Sequence, residues 1–150
     1  MEVIELLSHC KKDLYLEQLQ ECPWWAGKYL AKMIKNGELL KMCGLDAQVL
    51  MLVENDIIIS FCTYVFQDEI NALDMFPWIG FVYTYPNFRG NYYFKKLLDR
   101  IIILAKNENY KELYVSTNEV GLYEKYGFQY LKEMVDITGN PSRIYIRKIG

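Results

Sequence analysis

The chain has 150 residues, 52% of them hydrophobic, and its 17 Lys+Arg against 19 Asp+Glu give a formal net charge of -2. This size and composition fit one ordinary domain, so residues 1–150 are interpreted as a single domain. The charge balance provides no strong basic field, which argues against a nucleic-acid partner. The apolar runs are too short or too interrupted to cross a bilayer, so no membrane association is expected.

The cysteines and the first residues bear on the cellular compartment. The four cysteines are scattered and form no C-x-x-C pair: Cys10, Cys22, Cys43 and Cys62. With His9 as the only histidine, the pattern predicts reduced, mostly buried thiols and no metal site. The first ten residues contain two glutamates and lack a basic start followed by an apolar core, so a cytoplasmic location is expected.

The first forty residues are predicted to be helical. Leucines at positions 14, 16 and 19 make an apolar face within residues 11–21. Pro23 suits the first turn of a second helix, in which apolar residues recur at helical spacing: Trp25, Tyr29, Leu30, Met33 and Ile34. Asn36-Gly37 supplies a stop signal for that helix.

From residue 48 the pattern changes to strands. Residues 48–53 and 57–66 are rich in Val, Ile, Phe and Tyr, and Asn55-Asp56 between them has turn chemistry, so a hairpin is predicted. Residues 78–84 form a further predicted strand, which Pro86 closes.

A strand–helix–strand crossover is predicted next. Residues 92–107 form a helix with a wide apolar stripe, and residues 113–116 a short strand, so the crossover should be parallel and right-handed. A short helix over 120–126 stops at Gly127, and residues 128–138 and 143–148 form a last hairpin. The fold class is therefore mixed α/β: a helix pair, antiparallel strands, a β-α-β crossover and a C-terminal hairpin.

The joint between the strand over 78–84 and the following helix is a candidate anion site. The first turn of a helix has free N–H groups and a partial positive charge, and pyrophosphate is a common guest there. Arg89, Lys95 and Lys96 add positive charge. The alternative is a joint that binds nothing, with Arg89 solvated and the aromatic residues 92–94 packed in the core.

This segment resembles the pyrophosphate-binding motif of the GNAT superfamily of N-acetyltransferases, Q/R-x-x-G-x-G/A. Arg89 fits the first position, whereas Tyr92 stands at the middle glycine and Phe94 at the last small residue. The resemblance implies that backbone N–H groups of one run hold the diphosphate of acetyl-CoA: Arg89, Gly90, Asn91, Tyr92, Tyr93 and Phe94. It also implies that strand-end residues face the pantetheine arm through their backbones: Val82, Tyr83 and Thr84.

A second segment, Leu122-Tyr123-Glu124-Lys125-Tyr126-Gly127-Phe128, resembles the later GNAT motif L-Y-E-K-x-G-F. The resemblance implies that Tyr123 is catalytic and that Asn118, upstream of it, contacts the cofactor. Expulsion of CoA as a thiolate benefits from a proton, and a phenol of pKa about 10 can donate or share one with a thiol of pKa about 8.5. The alternative is a half-buried tyrosine that packs a helix against the sheet.

The resemblance as a whole implies a GNAT-like acyl-CoA N-acyltransferase fold and an acetyl-CoA-dependent N-acetyltransferase. A primary amine of a small molecule or peptide would attack the thioester directly, without a metal, and a homodimer is left open. Two alternatives from other classes are a non-catalytic acyl-CoA-binding or sensing module and a plain interaction domain that binds no CoA.

The general base and the acceptor site are left unassigned by the sequence. An amine of pKa about 10.4 costs about 4.6 kcal/mol to hold neutral at pH 7, and a carboxylate on the strand before the loop serves many family members. Residues 76–85 contain no Asp or Glu. The nearby candidates for the base are Asp68, Glu69 and Asp74, and the interpretation preferred for each is an ordinary loop charge. The resemblance places the segment containing Trp24 and Trp25 beside the acceptor; adjacent tryptophans cannot share a helical face, so one would line a cleft unless both simply pack.

Overall fold

A seven-stranded mixed sheet forms the centre of the molecule, and the structure, a computed structural model, describes all 150 residues. The strands are β1 (Glu2–Glu5), β2 (Gln48–Glu54), β3 (Ile57–Val65), β4 (Trp78–Thr84), β5 (Glu112–Thr117), β6 (Gln129–Val135) and β7 (Pro141–Lys148). The helices are α1 (Lys12–Gln20), α2 (Trp25–Lys35), α3 (Glu38–Cys43) and α4 (Phe94–Asn107). Short 3₁₀ turns occupy Leu6–Ser8, Pro86–Phe88 and Tyr123–Tyr126.

The strand order is β1-β2-β3-β4-β5-β7-β6. Neighbouring strands are antiparallel except β4 and β5, which run parallel and are joined by α4. The mixed α/β class, the hairpin of β2 and β3, the parallel crossover and the last hairpin are therefore confirmed.

The prediction for the first forty residues was wrong at its start and incomplete at its end. Residues Glu2–Glu5 form β1, which pairs with β2, and a third helix follows Gly37, whose φ of 71° suits glycine. Glu5 fixes the end of β1 against β2, because its carboxylate accepts hydrogen bonds from the backbone N–H groups of Ser8 at 2.9 Å and Val49 at 3.0 Å. A four-residue strand with glutamates at both ends has too short an apolar pattern to be distinguished from a helix.

The helices cover opposite faces of the sheet. Helices α1 to α3 pack on one face, and α4 packs on the other. In α1 the buried residues are Tyr15 and Leu19, one turn apart, while Leu14 is exposed, so the predicted leucine face was only partly right. Helix α4 begins at Phe94 rather than residue 92 and buries the stripe expected of it: Leu97, Leu98, Ile101 and Ala105.

The segment after β5 is less helical than predicted. Only Tyr123–Tyr126 form a 3₁₀ turn, which ends at Gly127 with φ 86°. As expected, most cysteines are buried; Cys10 is the exposed one. None of the four helices combines the length and apolar character that a membrane span needs.

Candidate active site

The parallel strands β4 and β5 part near their carboxyl ends. Only Trp78 and Ile79 of β4 pair with β5, opposite Tyr114 and Val115, so the rest of β4 has no partner strand on that side. The pairing of β4 with β3 shifts register between Gly80 and Tyr83, and Phe81 in this bulge has φ 48°. A bulge bends its strand, and ligands of α/β sheets bind beyond the carboxyl ends where strands diverge.

A row of unpaired backbone donors lies at the start of α4, directly after β4. The backbone N–H groups of residues 90–94 donate to no acceptor in the protein. The first backbone hydrogen bonds of this turn come from the N–H groups of Lys95 and Lys96, each of which donates to the carbonyl three residues earlier at 3.0 Å. Gly90 has φ 87° and open space around the position of a Cβ. Free donors and a helix dipole at this joint are the features expected of the candidate anion site; that an anion binds there stays a prediction.

Tyr92, at the motif's glycine position, has φ 54°. This is the left-handed region in which a non-glycine residue is strained by about 1–2 kcal/mol. Its side chain is 63% exposed, and its ring lies 6.3 Å from that of Tyr126. The backbone of the loop therefore keeps a shape that favours glycine, although the residue is tyrosine.

The three basic side chains around the loop have different interaction partners. Arg89 Nε donates to the carbonyl of Thr84 at 2.9 Å, and its guanidinium lies over the Tyr83 ring at 5.2 Å. Lys95 pairs with Asp99 at 2.9 Å, and Lys96 forms no salt bridge. The alternative of a simply solvated Arg89 is incomplete, because the exposed side chain also bonds back to the end of β4.

The phenol of Tyr123 lies on the α4 face of the sheet. The residue is 6% exposed, and its hydroxyl makes no hydrogen bond within the protein. The fully buried side-chain atoms without a partner belong to Thr63, Tyr64 and Tyr85, so the Tyr123 hydroxyl keeps some exposure. Burial is the main cause that raises the pKa of Tyr123 above 10, and negative charges including that of Asp68 add to it. The phenol therefore stays protonated and retains a donor that no protein group uses.

The two motif segments contact each other through aromatic rings. Phe94 meets Tyr123 edge to face with centroids 6.2 Å apart, and meets Tyr126 at 5.1 Å. Phe94 is buried, so its side chain belongs to the core while its N–H belongs to the unpaired row. Asn118 lies exposed just beyond β5, at the same edge of the sheet but without a hydrogen bond to either segment.

Sequence reasoning missed the position of Asp68. A Cβ built on Gly80 would lie 2.6 Å from Oδ1 of Asp68 and 3.0 Å from Oγ1 of Thr63. The carboxylate therefore occupies the space of an absent β4 side chain, and burial raises the pKa of Asp68 to about 7. A glycine inside a strand often marks the close approach of another group, so Gly80 was the available signal.

Aromatic residues line the α1–α3 face beside this position. Trp24 stacks on Tyr83 with centroids 5.3 Å apart and planes at 11°, and its ring also approaches Phe61 and Phe81 at 6.4 Å. Trp25 is 73% exposed, so the two tryptophans face different surroundings; that one of them lines an acceptor cleft stays a prediction. Trp24 is thus the tryptophan that packs on the end of β4.

Comparisons with known proteins agree with this geometry. A family model described as an acetyltransferase (GNAT) domain matches residues 46–130. No curated protein sequence matches the chain significantly. The match covers β2 through the first part of β6, so it includes both motif segments.

Solved structures share the fold across the whole chain. A crystal structure of aminoglycoside 6'-N-acetyltransferase complexed with coenzyme A has a TM-score of 0.73 at 14% identity, covering 100% of this chain and 98% of that chain. The aminoglycoside 6'-N-acetyltransferase from Enterococcus faecium gives 0.72 at 12%, covering 100% and 98%. A GNAT family acetyltransferase from Elizabethkingia anophelis with acetyl-CoA bound gives 0.62 at 16%, covering 98% and 97%. With the two motifs in place, the chain belongs to the GNAT family of acetyltransferases.

Proposed function

We propose that the chain is an acetyl-CoA-dependent N-acetyltransferase that moves an acetyl group to a primary amine of a small molecule or peptide. The amine attacks the thioester directly, without a metal. The observation that best supports this is the row of unpaired N–H groups over residues 90–94, placed where β4 and β5 part and in contact with the Tyr123 segment.

The diphosphate of acetyl-CoA binds these N–H groups. They form consecutive donors at a helix start, so a doubly charged diphosphate satisfies several at once. Arg89 contributes from one side, because only its Nε is engaged and a guanidinium carries five N–H donors. The residues assigned to this contact are those of the motif: Arg89, Gly90, Asn91, Tyr92, Tyr93 and Phe94.

The pantetheine arm runs along the unpaired side of β4. The residues assigned to this contact are Val82, Tyr83 and Thr84 of β4, which lie beyond the last pair with β5, together with Asn118 just past the end of β5. Ser60 stabilises the strand end, because its hydroxyl donates to the Tyr83 carbonyl at 2.8 Å and lies 2.9 Å from Oγ1 of Thr84. An amide-bearing arm can thus add to the sheet in the manner of a short strand.

Tyr123 donates a hydrogen bond to the departing sulfur. Burial holds the pKa of this phenol above its usual value, so it remains protonated at neutral pH and serves as a donor to the developing thiolate. The small-molecule part of the proposal draws on the solved structures, two of which are aminoglycoside 6'-N-acetyltransferases.

Two measurements test the function in sequence. Acetyl-CoA should raise the melting temperature, because a ligand that binds only the native state stabilises it. Thiol release across a panel of primary amines should then identify an acceptor. Stabilisation without thiol release for any amine would instead support the acyl-CoA-binding or sensing module, and no stabilisation would contradict both functions.

A further inference from the structure

We propose that Asp68 is the general base that takes the proton from the acceptor ammonium. The inference rests on the proposed N-acetyltransferase function and assigns the residue that the sequence left open. It identifies a carboxylate delivered to β4 from the loop over residues 66–77, rather than one carried by β4 itself.

The Asp68 carboxylate lies beside the opening between β4 and β5. Oδ1 of Asp68 lies 2.6 Å from the place of a Cβ on Gly80, next to the bulge at which β4 leaves β5. Oγ1 of Thr63 borders the same space and is buried without a hydrogen-bond partner. A carboxylate and an unsatisfied hydroxyl therefore share one site beside the strand opening, and both suit a donor such as an ammonium group.

Hydrogen bonds hold the loop that carries Asp68 in place. The carboxylate of the next residue, Glu69, accepts a hydrogen bond from the Ser116 hydroxyl at 2.7 Å, at the carboxyl end of β5. The Ser116 hydroxyl also lies 2.7 Å from that of the buried Ser142. On its backbone side, Glu69 accepts from the N–H of Ile137 at 2.8 Å. Contacts to β5, β7 and the last hairpin thus fix the loop beside the opening.

The charge environment of Asp68 suits a general base. No salt bridge engages Asp68. The titratable groups whose charges interact with it are Glu69 on its own loop, the buried Cys43 thiol of α3 and the Tyr123 phenol on the opposite face of the sheet. Burial raises the pKa of Asp68 to about 7, with the Glu69 charge adding and the Glu69 backbone N–H opposing. A base with a pKa near the working pH transfers protons most effectively.

The acceptor nitrogen loses two protons in the proposed reaction. The Asp68 carboxylate takes one proton from the ammonium and later passes it to solvent, leaving a neutral amine. The amine nitrogen forms a C–N bond to the thioester carbonyl, and the C–S bond then breaks. The second proton leaves the nitrogen as the amide forms and passes to the departing thiolate of CoA, which accepts a hydrogen bond from the Tyr123 phenol. The products are an N-acetylated amine and the free thiol.

The test compares Asp68→Asn with the wild-type protein in thiol release, using acetyl-CoA and the amine on which wild type is most active. We expect Asp68→Asn to lower kcat/KM by about 100-fold or more. The rise of kcat/KM near pH 7 should also disappear, leaving only the dependence set by the amine itself. Asp74→Asn removes an exposed charge from the same loop and should leave rate and profile unchanged.

Gly80→Ala provides a second variant that keeps the carboxylate but displaces it. Its methyl group would meet Oδ1 of Asp68, so its kcat/KM should fall as well, with folding checked by circular dichroism. Wild-type rate and pH profile in Asp68→Asn would overturn the assignment while leaving the transferase function standing. Absence of thiol release from wild type with every amine would contradict the proposed function itself, and the assignment with it.

Discussion

The ring of Phe94 meets the ring of Tyr123 edge to face, with centroids 6.2 Å apart and ring planes at 89°. Phe94 is the first residue of α4, so this contact joins the unpaired N–H row to the phenol. A small residue at position 94 could not make this contact. The departure of Phe94 from the family motif therefore has a packing role.

We predict that Phe94→Ala lowers the free energy of unfolding by about 3–5 kcal/mol, because it removes a buried ring and leaves a cavity. Urea denaturation measures the change. Ile103→Ala, on the exposed side of the same helix, should change stability by at most about 0.5 kcal/mol. Equal effects of the two substitutions would contradict the packing role of Phe94.

For the loop we predict that Tyr92→Gly binds CoA a few times more tightly than wild type. Glycine adopts the observed φ of 54° without strain and lets a phosphate approach the backbone. Because the relieved strain of about 1–2 kcal/mol exceeds glycine's entropic cost of about 0.5–1 kcal/mol, stability should be equal or slightly higher. Isothermal titration calorimetry measures the affinity.

Tyr92→Ala is the matched control for this substitution, because it removes the ring but keeps a Cβ at positive φ. Its affinity should fall below that of Tyr92→Gly. If the glycine variant binds more weakly than both the alanine variant and wild type, the loop does not hold the diphosphate through its backbone.

Tyr123→Phe should lower kcat by about 100-fold or more and leave acetyl-CoA affinity nearly unchanged. The substitution removes the unpaired hydroxyl and keeps the ring contacts with Phe94 and Phe128. Steady-state thiol release and calorimetry measure the two quantities. Undiminished turnover would remove the phenol from the mechanism.

Asp68 also makes stability depend on pH. Its pKa is about 7 in the folded protein against a model value of 3.8, so the native state binds more protons between these values and loses stability as pH rises through them. Asp68→Asn should therefore match wild type at about pH 4. At about pH 8 its free energy of unfolding should be higher by about 1–2 kcal/mol, because the partial exposure of Asp68 reduces the full effect of about 4 kcal/mol, and it should melt about 2–8 °C higher. A melting-temperature difference that does not grow with pH would contradict a raised pKa of the Asp68 carboxyl in the folded protein.

Sequence patterns predicted most of the sheet because long runs of β-branched and aromatic residues determine strands locally. Residues 78–84 were predicted with the bounds of β4, and the apolar stripe of α4 indicated its burial. The strand Glu2–Glu5 was missed because pairing with β2, a long-range contact, decides its state.

The functional site was predictable only where its residues lie in one contiguous stretch of sequence. The candidate anion site and Tyr123 belong to contiguous motifs, so the sequence could indicate both as candidates. The position of Asp68 depends on a loop that folds back over Gly80, 12 positions along the chain, and is fixed by contacts to Ser116 and Ile137. No local pattern encodes such contacts, although a glycine within β4 hinted at one.

The most direct test of the central claim is a ¹⁵N-correlation NMR titration with acetyl-CoA. The account predicts that the backbone amide signals of residues 90–94 shift most, since their N–H groups gain acceptors on binding. Gly90→Pro, which removes one of these donors, should weaken binding. Saturable binding that leaves these five signals in place, or the absence of any binding, would contradict the account.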